Sequence, residues 1–346
     1  MSGDPRRAAV DALKRIAFLL ERAREPTYRV RAFRRAAATV EGLDAAELDR
    51  LVARQQLESL PGIGKVTALT IAEAMRGEVP TYLRRLEATE GRSVGDDAHA
   101  LRATLRGDCH VHSDWSDGGS PIREMAEAAR ALGHEYVVLT DHSPRLRVAR
   151  GLSAERLREQ LGVVRGLNDE LAPFRILTGI EVDILEDGAL DQEPGLLDEL
   201  DVVVASVHSE LRMASEGMTA RMVAAVSNPL VDILGHCTGR LVVGRGRPES
   251  EFDAEAVFAA CASHGVAVEV NSRPERLDPP KRLLRRAFEL GCLVSIDTDA
   301  HAPGQLDWQI NGCERAALCG IGADRAVNAR PVDGLLAWAG RARGRS

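Results

Sequence analysis

Nine histidines occur in the chain, and six of them close apolar, β-branched runs: His110 and His112 in HVHSD, His142 in TDHS, His208 in SVHS, His236 in ILGHC and His301 in DAH. Three carboxylates keep them company: Asp117 in SDG, Glu181 in GIE and Asp299 in TDAH. Side chains two apart in a strand face the same way, so His110 can act with His112, and Asp299 with His301. A lone histidine at a strand end is ordinarily a hydrogen-bonded capping residue. Six of them converging with three carboxylates would be costly to desolvate without compensation. Imidazole and carboxylate together suit Zn²⁺, Mn²⁺ or Fe²⁺. The nine residues His110, His112, Asp117, His142, Glu181, His208, His236, Asp299 and His301 would serve two or three such ions, with Glu181 suited to bridge. Cations in excess of carboxylates would draw a phosphate group and lower the pKa of a bound water toward ~7.

Something must carry these residues to one place. From residue 108 onward a unit repeats, in which a helix ends in a polar or glycine turn and a β-branched run then ends in His, Asp, Glu or Asn. Strands are expected over 109–112, 136–140, 175–181, 202–206, 231–235, 266–270 and 293–296. Helices are expected over 121–132, 154–171, 219–226, 253–263 and 280–290. Strand–helix alternation with near-continuous apolar strands means a parallel sheet covered on both faces. Seven such strands favour a closed or nearly closed barrel, where functional residues collect at the C-terminal ends of the strands.

The remainder of the chain reads differently. Helices are expected over 7–23, 27–39 and 44–55, with a further one ending at Met75. Between the last two lies Leu60-Pro61-Gly62-Ile63-Gly64-Lys65, a sharp turn that leaves backbone N–H groups free at a helix start, where they can hold a phosphate oxygen. Gly62, Gly64 and Lys65 are therefore candidate phosphate contacts. Residues 1–93 carry 17 Lys+Arg against 13 Asp+Glu, whereas the rest carries 28 against 39. A basic head on an acidic body suits a polyanionic partner. Composition, with 45% hydrophobic and 28% charged residues, excludes a disordered, collagen-like or disulfide-stapled chain. No apolar run approaches the ~20 residues that span a bilayer, so no membrane partner is expected. Charges at Asp11, Lys14 and Arg15 argue against a signal peptide. Six cysteines without a CxxC spacing read as reduced thiols of a cytoplasmic protein.

Together the strings HVHSDWSDG, TDHS, GIEVDI, SVHSE, GHCTGR and DTDAH resemble the motif series of the PHP (polymerase and histidinol phosphatase) superfamily. Residues 108–320 are similar to the PHP domain that ends bacterial family X DNA polymerases, and residues 5–90 to the helix-hairpin-helix domain that opens them. The resemblance implies an α/β fold, a distorted (β/α)7 TIM-like barrel holding up to three metal ions, preceded by a small all-α domain. It carries the ligand roles onto the nine residues named above. Domains are expected at 1–91 and 108–340, with 92–107 as a linker. So short a linker leaves no room for polymerase fingers, palm and thumb. Thr70 stands where relatives with lyase activity keep a Schiff-base lysine, and Cys237 where proline is common.

The expected activity is a metal-dependent phosphoesterase on DNA, a 3′–5′ exonuclease or an end- or abasic-site-processing enzyme of DNA repair. His112, Glu181 and His208 would act in the reaction, and Arg240 would bind a phosphate. The alternatives are a phosphomonoesterase on a small metabolite such as histidinol phosphate, and a DNA-binding scaffold with an inactive barrel. Asn271 and Arg276 could also face the site. Asp141 and Asp297 could orient His142 and His301. His99, His134, His264 and Cys109 are read as structural, and Glu210 as either solvent-facing or catalytic.

Overall fold

The computed structural model describes residues 4–88 and 94–340, and the chain divides into two units, residues 1–93 and 94–346. The expected domain boundary at residue 91 lies outside the described residues.

The first unit is all helix: α1 (Pro5–Arg22), α2 (Thr27–Glu41), α3 (Ala45–Ala53), α4 (Lys65–Met75) and α5 (Thr81–Ala88). The Asp4 carboxylate accepts from Arg6 N at 3.0 Å and Pro5 occupies the first turn, which together start α1. Asp44 caps α3 in the same way. Val10, Leu13, Ile16, Ala17 and Leu20 form the buried stripe of α1, packed with Phe33 and Val40 of α2, Leu48 of α3 and Ile71 of α4. No helix among the described residues is long and apolar enough to cross a membrane.

The second unit opens with α6 (Asp96–Thr104), where a linker was expected. Few apolar residues mark it, but they recur at helical spacing. Ala98, Leu101 and Leu105 are buried in one cluster with Cys313 and Ala316 of a later helix. Seven parallel strands follow in spatial order β1 to β7: β1 (Gly107–Val111), β2 (Tyr136–Leu139), β3 (Arg175–Asp183), β4 (Val202–Ser206), β5 (Ile233–Leu234), β6 (Ala267–Asn271) and β7 (Val294–Asp297). Between and after them run α7 (Ile122–Ala131), α8 (Ala154–Leu171), α9 (Pro194–Glu199), α10 (Ser215–Val226), α11 (Ala254–His264), α12 (Lys281–Glu289), α13 (Gln309–Ala317) and α14 (Val332–Gly340). Val202, Val203, Val204 and Ala205 of β4 are wholly buried, as a strand covered on both faces requires.

Among the described residues, β1 meets the segment just past β7 through one bridge, Val111 with Ala300, where His112 N donates to Ala300 O at 2.8 Å. The result is the nearly closed α/β barrel that the strand count favours. Strand β5 keeps only two residues of the five expected. Past it the chain turns at Gly235, where a Cβ would strike the Ser206 side chain of β4.

Candidate metal centre

Glu181 stands at the middle of the site, near the end of β3, and is 1% exposed. Its Oε2 lies 3.2 Å from His110 Nε2, 3.5 Å from His112 Nε2 and 2.9 Å from His142 Nδ1. Its Oε1 lies 3.2 Å from His208 Nε2 and 2.8 Å from His236 Nε2. Five imidazoles from four strand ends thus converge on one carboxylate. The sixth, His301, joins through Asp117, whose Oδ1 is 3.3 Å from His301 Nε2 and 3.5 Å from His142 Nε2. Asp299 Oδ1 lies 3.5 Å from both His112 Nε2 and His301 Nδ1.

Whether cations fit here is tested by the hydrogen bonds that are missing. His110 Nε2, both ring nitrogens of His112, both of His208, His142 Nδ1, His236 Nδ1 and Glu181 Oε2 are buried with no hydrogen-bond partner. Buried polar groups are nearly always satisfied, so a cluster of unserved lone pairs is a cavity shaped for Lewis acids. Three overlapping sets have donor atoms close enough to share an ion: His112, Asp117, His142 and His301; His110, His112 and Glu181; and His142, Glu181 and His208. Imidazole and carboxylate are the donor types that Zn²⁺, Mn²⁺ and Fe²⁺ accept.

The same contacts set the charges of the cluster. Burial alone would raise the Glu181 carboxyl, but His110, His142 and His208 hold it well below the usual range. Burial, with His301 and His142 alongside, pushes His112 well below an ordinary imidazole. Burial opposes the charge on Asp299, yet Arg273, His112 and Arg276 keep its carboxyl low. Against burial, Glu181 and Asp183 lift His208 to about 9. An ionised Glu181 and a neutral His112 are the forms a cation needs.

Several supporting residues were not singled out in the sequence. Glu269, unexposed in β6, has Oε1 2.7 Å from His110 Nδ1, and its Oε2 accepts the His236 backbone N–H at 2.5 Å. Asp183 Oδ1 accepts the backbone N–H of His208 at 3.1 Å and lies 3.4 Å from its Nδ1. Arg273 Nη1 lies 3.4 Å from Asp299 Oδ1. Glu269 had one available signal: it sits two residues before Asn271, and so on the same strand face.

Other expectations are corrected. Arg240 does not reach the site. Its Nε donates to Arg276 O at 3.0 Å, Nη2 to Leu277 O, and Nη1 to Glu249 at 3.4 Å, so the guanidinium braces the 276–277 backbone. Asp141 does not orient His142. It accepts from Ser113 N and Oγ, Ser116 Oγ and Gln160 Nε2, and so folds the β1–α7 loop. Asp297 does not orient His301, but accepts from Cys109 N at 2.8 Å and Asn328 Nδ2 at 3.3 Å. Asp299 and His301 are not strand neighbours, since β7 ends at Asp297 and Asp299 is left-handed at φ 53°.

Arg276 and Asn271 do face the site, donating to Asp299 Oδ2 at 3.1 and 3.3 Å. His134 lies in the turn before β2, 3.0 Å from Arg102 Nη2, while His99 belongs to α6 and His264 ends α11. Cys109 is buried and Glu210 exposed. In the helical unit, Gly62 has φ 82° and packs so closely on Arg35 that a Cβ would collide with it. Gly64 caps α4, with its N–H bonded to Thr67 Oγ1 at 3.0 Å, and Lys65 is exposed. Thr70 is buried, with its hydroxyl bonded to Val66 O.

A cleft of about 590 Å³ opens onto the centre past Asp117, His142, His208, Asp299 and His301, with Arg273 and Arg276 in its wall. A seven-stranded barrel with this centre defines the class, and the chain belongs to the PHP-domain family of phosphate-ester hydrolases: the PHP domain matches residues 108–273, and a helix-hairpin-helix domain matches residues 4–79. The chain is 41% identical over 261 residues to the DNA polymerase/3′-5′ exonuclease PolX of Bacillus subtilis, across 75% of this chain and 44% of that protein. It therefore spans less than half the length of that relative. It is 31% identical over 205 residues to a probable phosphatase of Thermoanaerobacter sp. (strain X514), across 56% of this chain and 78% of that one. A histidinol phosphate phosphatase of Lactococcus lactis, solved with zinc, L-histidinol and phosphate, aligns at 19% identity and a TM-score of 0.46, over 63% of this chain and 94% of that one. Between the two matched domains, residues 80–107 hold α5, α6 and the first residue of β1, which leaves no space there for a nucleotidyl-transfer domain.

Proposed function

We propose that the chain is a cation-dependent phosphoesterase acting on the ends of DNA strands, in keeping with the exonuclease part of the name carried by the Bacillus relative. The supporting observation is the floor of the cleft, where five imidazoles surround Glu181 with lone pairs that nothing in the protein serves. The nine residues His110, His112, Asp117, His142, Glu181, His208, His236, Asp299 and His301 would hold two or three divalent ions. When bound, such ions supply Lewis-acid polarisation of the phosphoryl group and a water acidic enough to react near neutral pH.

The remaining work falls to side chains. Asp299 fixes Arg276 through Nε, which leaves Nη1 buried without a partner and available to a phosphate oxygen. Arg273 stands beside it on the same carboxylate. Two guanidinium groups held in the cleft wall orient the phosphate and meet the charge that develops on its oxygens. Glu181 and His112 keep the protonation states they already have. The helical unit would hold the strand by the Lys65 side chain and the first backbone N–H groups of α4, without reading sequence.

The test is the full chain, loaded with Mn²⁺ or Zn²⁺, on a 5′-labelled single-stranded oligonucleotide and, in parallel, on histidinol phosphate. Stepwise shortening of the oligonucleotide is expected, and loss of it in His112→Ala and Glu181→Ala with the circular dichroism spectrum retained. Hydrolysis of histidinol phosphate alone would replace this reading with the small-ester one. Full activity in Glu181→Ala would remove the site from the chemistry.

A further inference from the structure

Two loops that carry candidate ligands run on into segments of one composition. Arg145-Leu-Arg-Val-Ala-Arg150 follows His142, and Arg240-Leu-Val-Val-Gly-Arg-Gly-Arg247 follows His236. Neither contains an acid, although residues 94–346 as a whole carry 28 Lys+Arg against 39 Asp+Glu. Both segments border the same cleft, the first through Leu146, Val148 and Ala149, the second through Leu241. Val242 N donates to Glu275 O at 2.7 Å, which fastens the second segment beside Arg276. Two of its arginines are committed to backbone: Arg240 as described, and Arg247, whose Nε donates to Gly239 O at 2.6 Å.

The other four, Arg145, Arg147, Arg150 and Arg245, are exposed, and their guanidinium groups form no hydrogen bond or ion pair with any described residue. Among them stand aliphatic side chains that folding leaves in water: Val148 is 92% exposed, Val242 49% and Val243 44%. Unpaired cations alternating with bare valines around an opening make an unusual surface for an acidic barrel.

We propose that this arginine–valine rim binds a single-stranded oligonucleotide, gripping the nucleotides next to the phosphate under attack, so that the barrel itself selects a strand over a small phosphate ester. The inference rests on the phosphoesterase reading above and names the substrate of that site. Arginines along a strand neutralise phosphates and release their counterions. Valines offer apolar faces to bases and sugars, contacts that do not distinguish one base edge from another. A single strand suits the depth of the floor: His112 and Glu181 are no more than 1% exposed, and an unpaired phosphate can bend toward them more freely than one held in a duplex.

The experiment compares the full chain with two variants, Arg145→Gln/Arg147→Gln/Arg150→Gln/Arg245→Gln and Val148→Ser/Val242→Ser/Val243→Ser. Substrates are oligothymidylates from dimer to octamer and bis(p-nitrophenyl) phosphate, a diester with no strand. For the unaltered chain, KM should fall with oligonucleotide length. In the arginine variant the ratio of kcat/KM for the octamer to that for the small diester should drop about tenfold or more. The salt dependence of octamer binding should become shallower, by about 0.7 in log–log slope for each phosphate no longer neutralised. Fluorescence anisotropy with labelled octamer reads the surface without turnover, and the helical unit is the same in all three proteins. If the unaltered chain cleaves nothing while the arginine variant still loses octamer affinity, the phosphoesterase reading fails and the surface stands. An unchanged ratio and affinity in both variants would overturn the proposal. So would an equal fall on octamer and small diester, which would make the rim a support of the centre rather than a seat for the strand.

Discussion

Glu269 ties together two candidate ligands from different strands, through His110 Nδ1 on one oxygen and the His236 backbone N–H on the other. A carboxylate can accept at both oxygens, whereas an amide of the same shape accepts at one and donates at the other. Glu269→Gln must therefore either lose the His236 bond or turn its amide N–H toward His110 Nδ1. The second choice moves the imidazole proton to Nε2, where it faces Glu181 and blocks that nitrogen as a ligand. We expect apparent metal affinity to fall about 10- to 100-fold with little change in the metal-free melting temperature. Calorimetric titration with Zn²⁺ checks this, and wild-type affinity in the variant would refute it. Most of the candidate ligands were legible because they stand at or just past the end of an apolar run, whereas Asp117 lies in the polar loop after β1. Glu269 was not, since Val-Glu-Val-Asn reads as plain strand alternation. Arg240 misled for a related reason: four residues past His236 it should project toward the opening, but its guanidinium is taken up by the carbonyls of Arg276 and Leu277.

Loops on neighbouring elements are held by buried arginine rather than by apolar packing in one notable case. Arg221 of α10 is 1% exposed and donates to Ile184 O at 3.1 Å, Ser209 O at 3.0 Å and Ser209 Oγ at 3.2 Å. It so joins the end of β3 to the loop that carries His208. Arg221→Met would leave those acceptors unserved, at a cost of about 3 kcal/mol or more, measurable by urea denaturation. At the other end of the barrel, burial and then Arg102 push His134 down to about 3. The unfolded chain takes up that proton near pH 6.5, the native protein only near 3, so acid favours unfolding across the interval. Stability should fall as pH drops from 6.5 toward 3, and His134→Asn should flatten that slope. Equal slopes for both proteins in melting curves between pH 7 and 4 would count against it. The strands were readable from β-branched runs. Helix α6 was not, because two apolar residues, Ala98 and Leu101, carry its whole buried face, and their partners on α13 lie over 200 residues away in sequence.

Across the whole chain, two units of opposite charge balance each enclose a separate core. The helical unit starts α4 on a glycine turn, and the barrel gathers the imidazoles and carboxylates. The barrel is joined edge to edge by the bridge between Val111 and Ala300, with Asp108 and Asp297 taking up nearby backbone N–H groups. His110 and His112 lie on one side of that seam, Asp299 and His301 on the other. An ion gripped from both sides would work as a clasp, and stripping it with a chelator should let the seam breathe. Amide deuteration would show this first at His112, whose N–H spans the gap to Ala300, while amides at the centre of β4 stay protected. A barrel fastened in this way would be most easily pried open at the place where it does its chemistry.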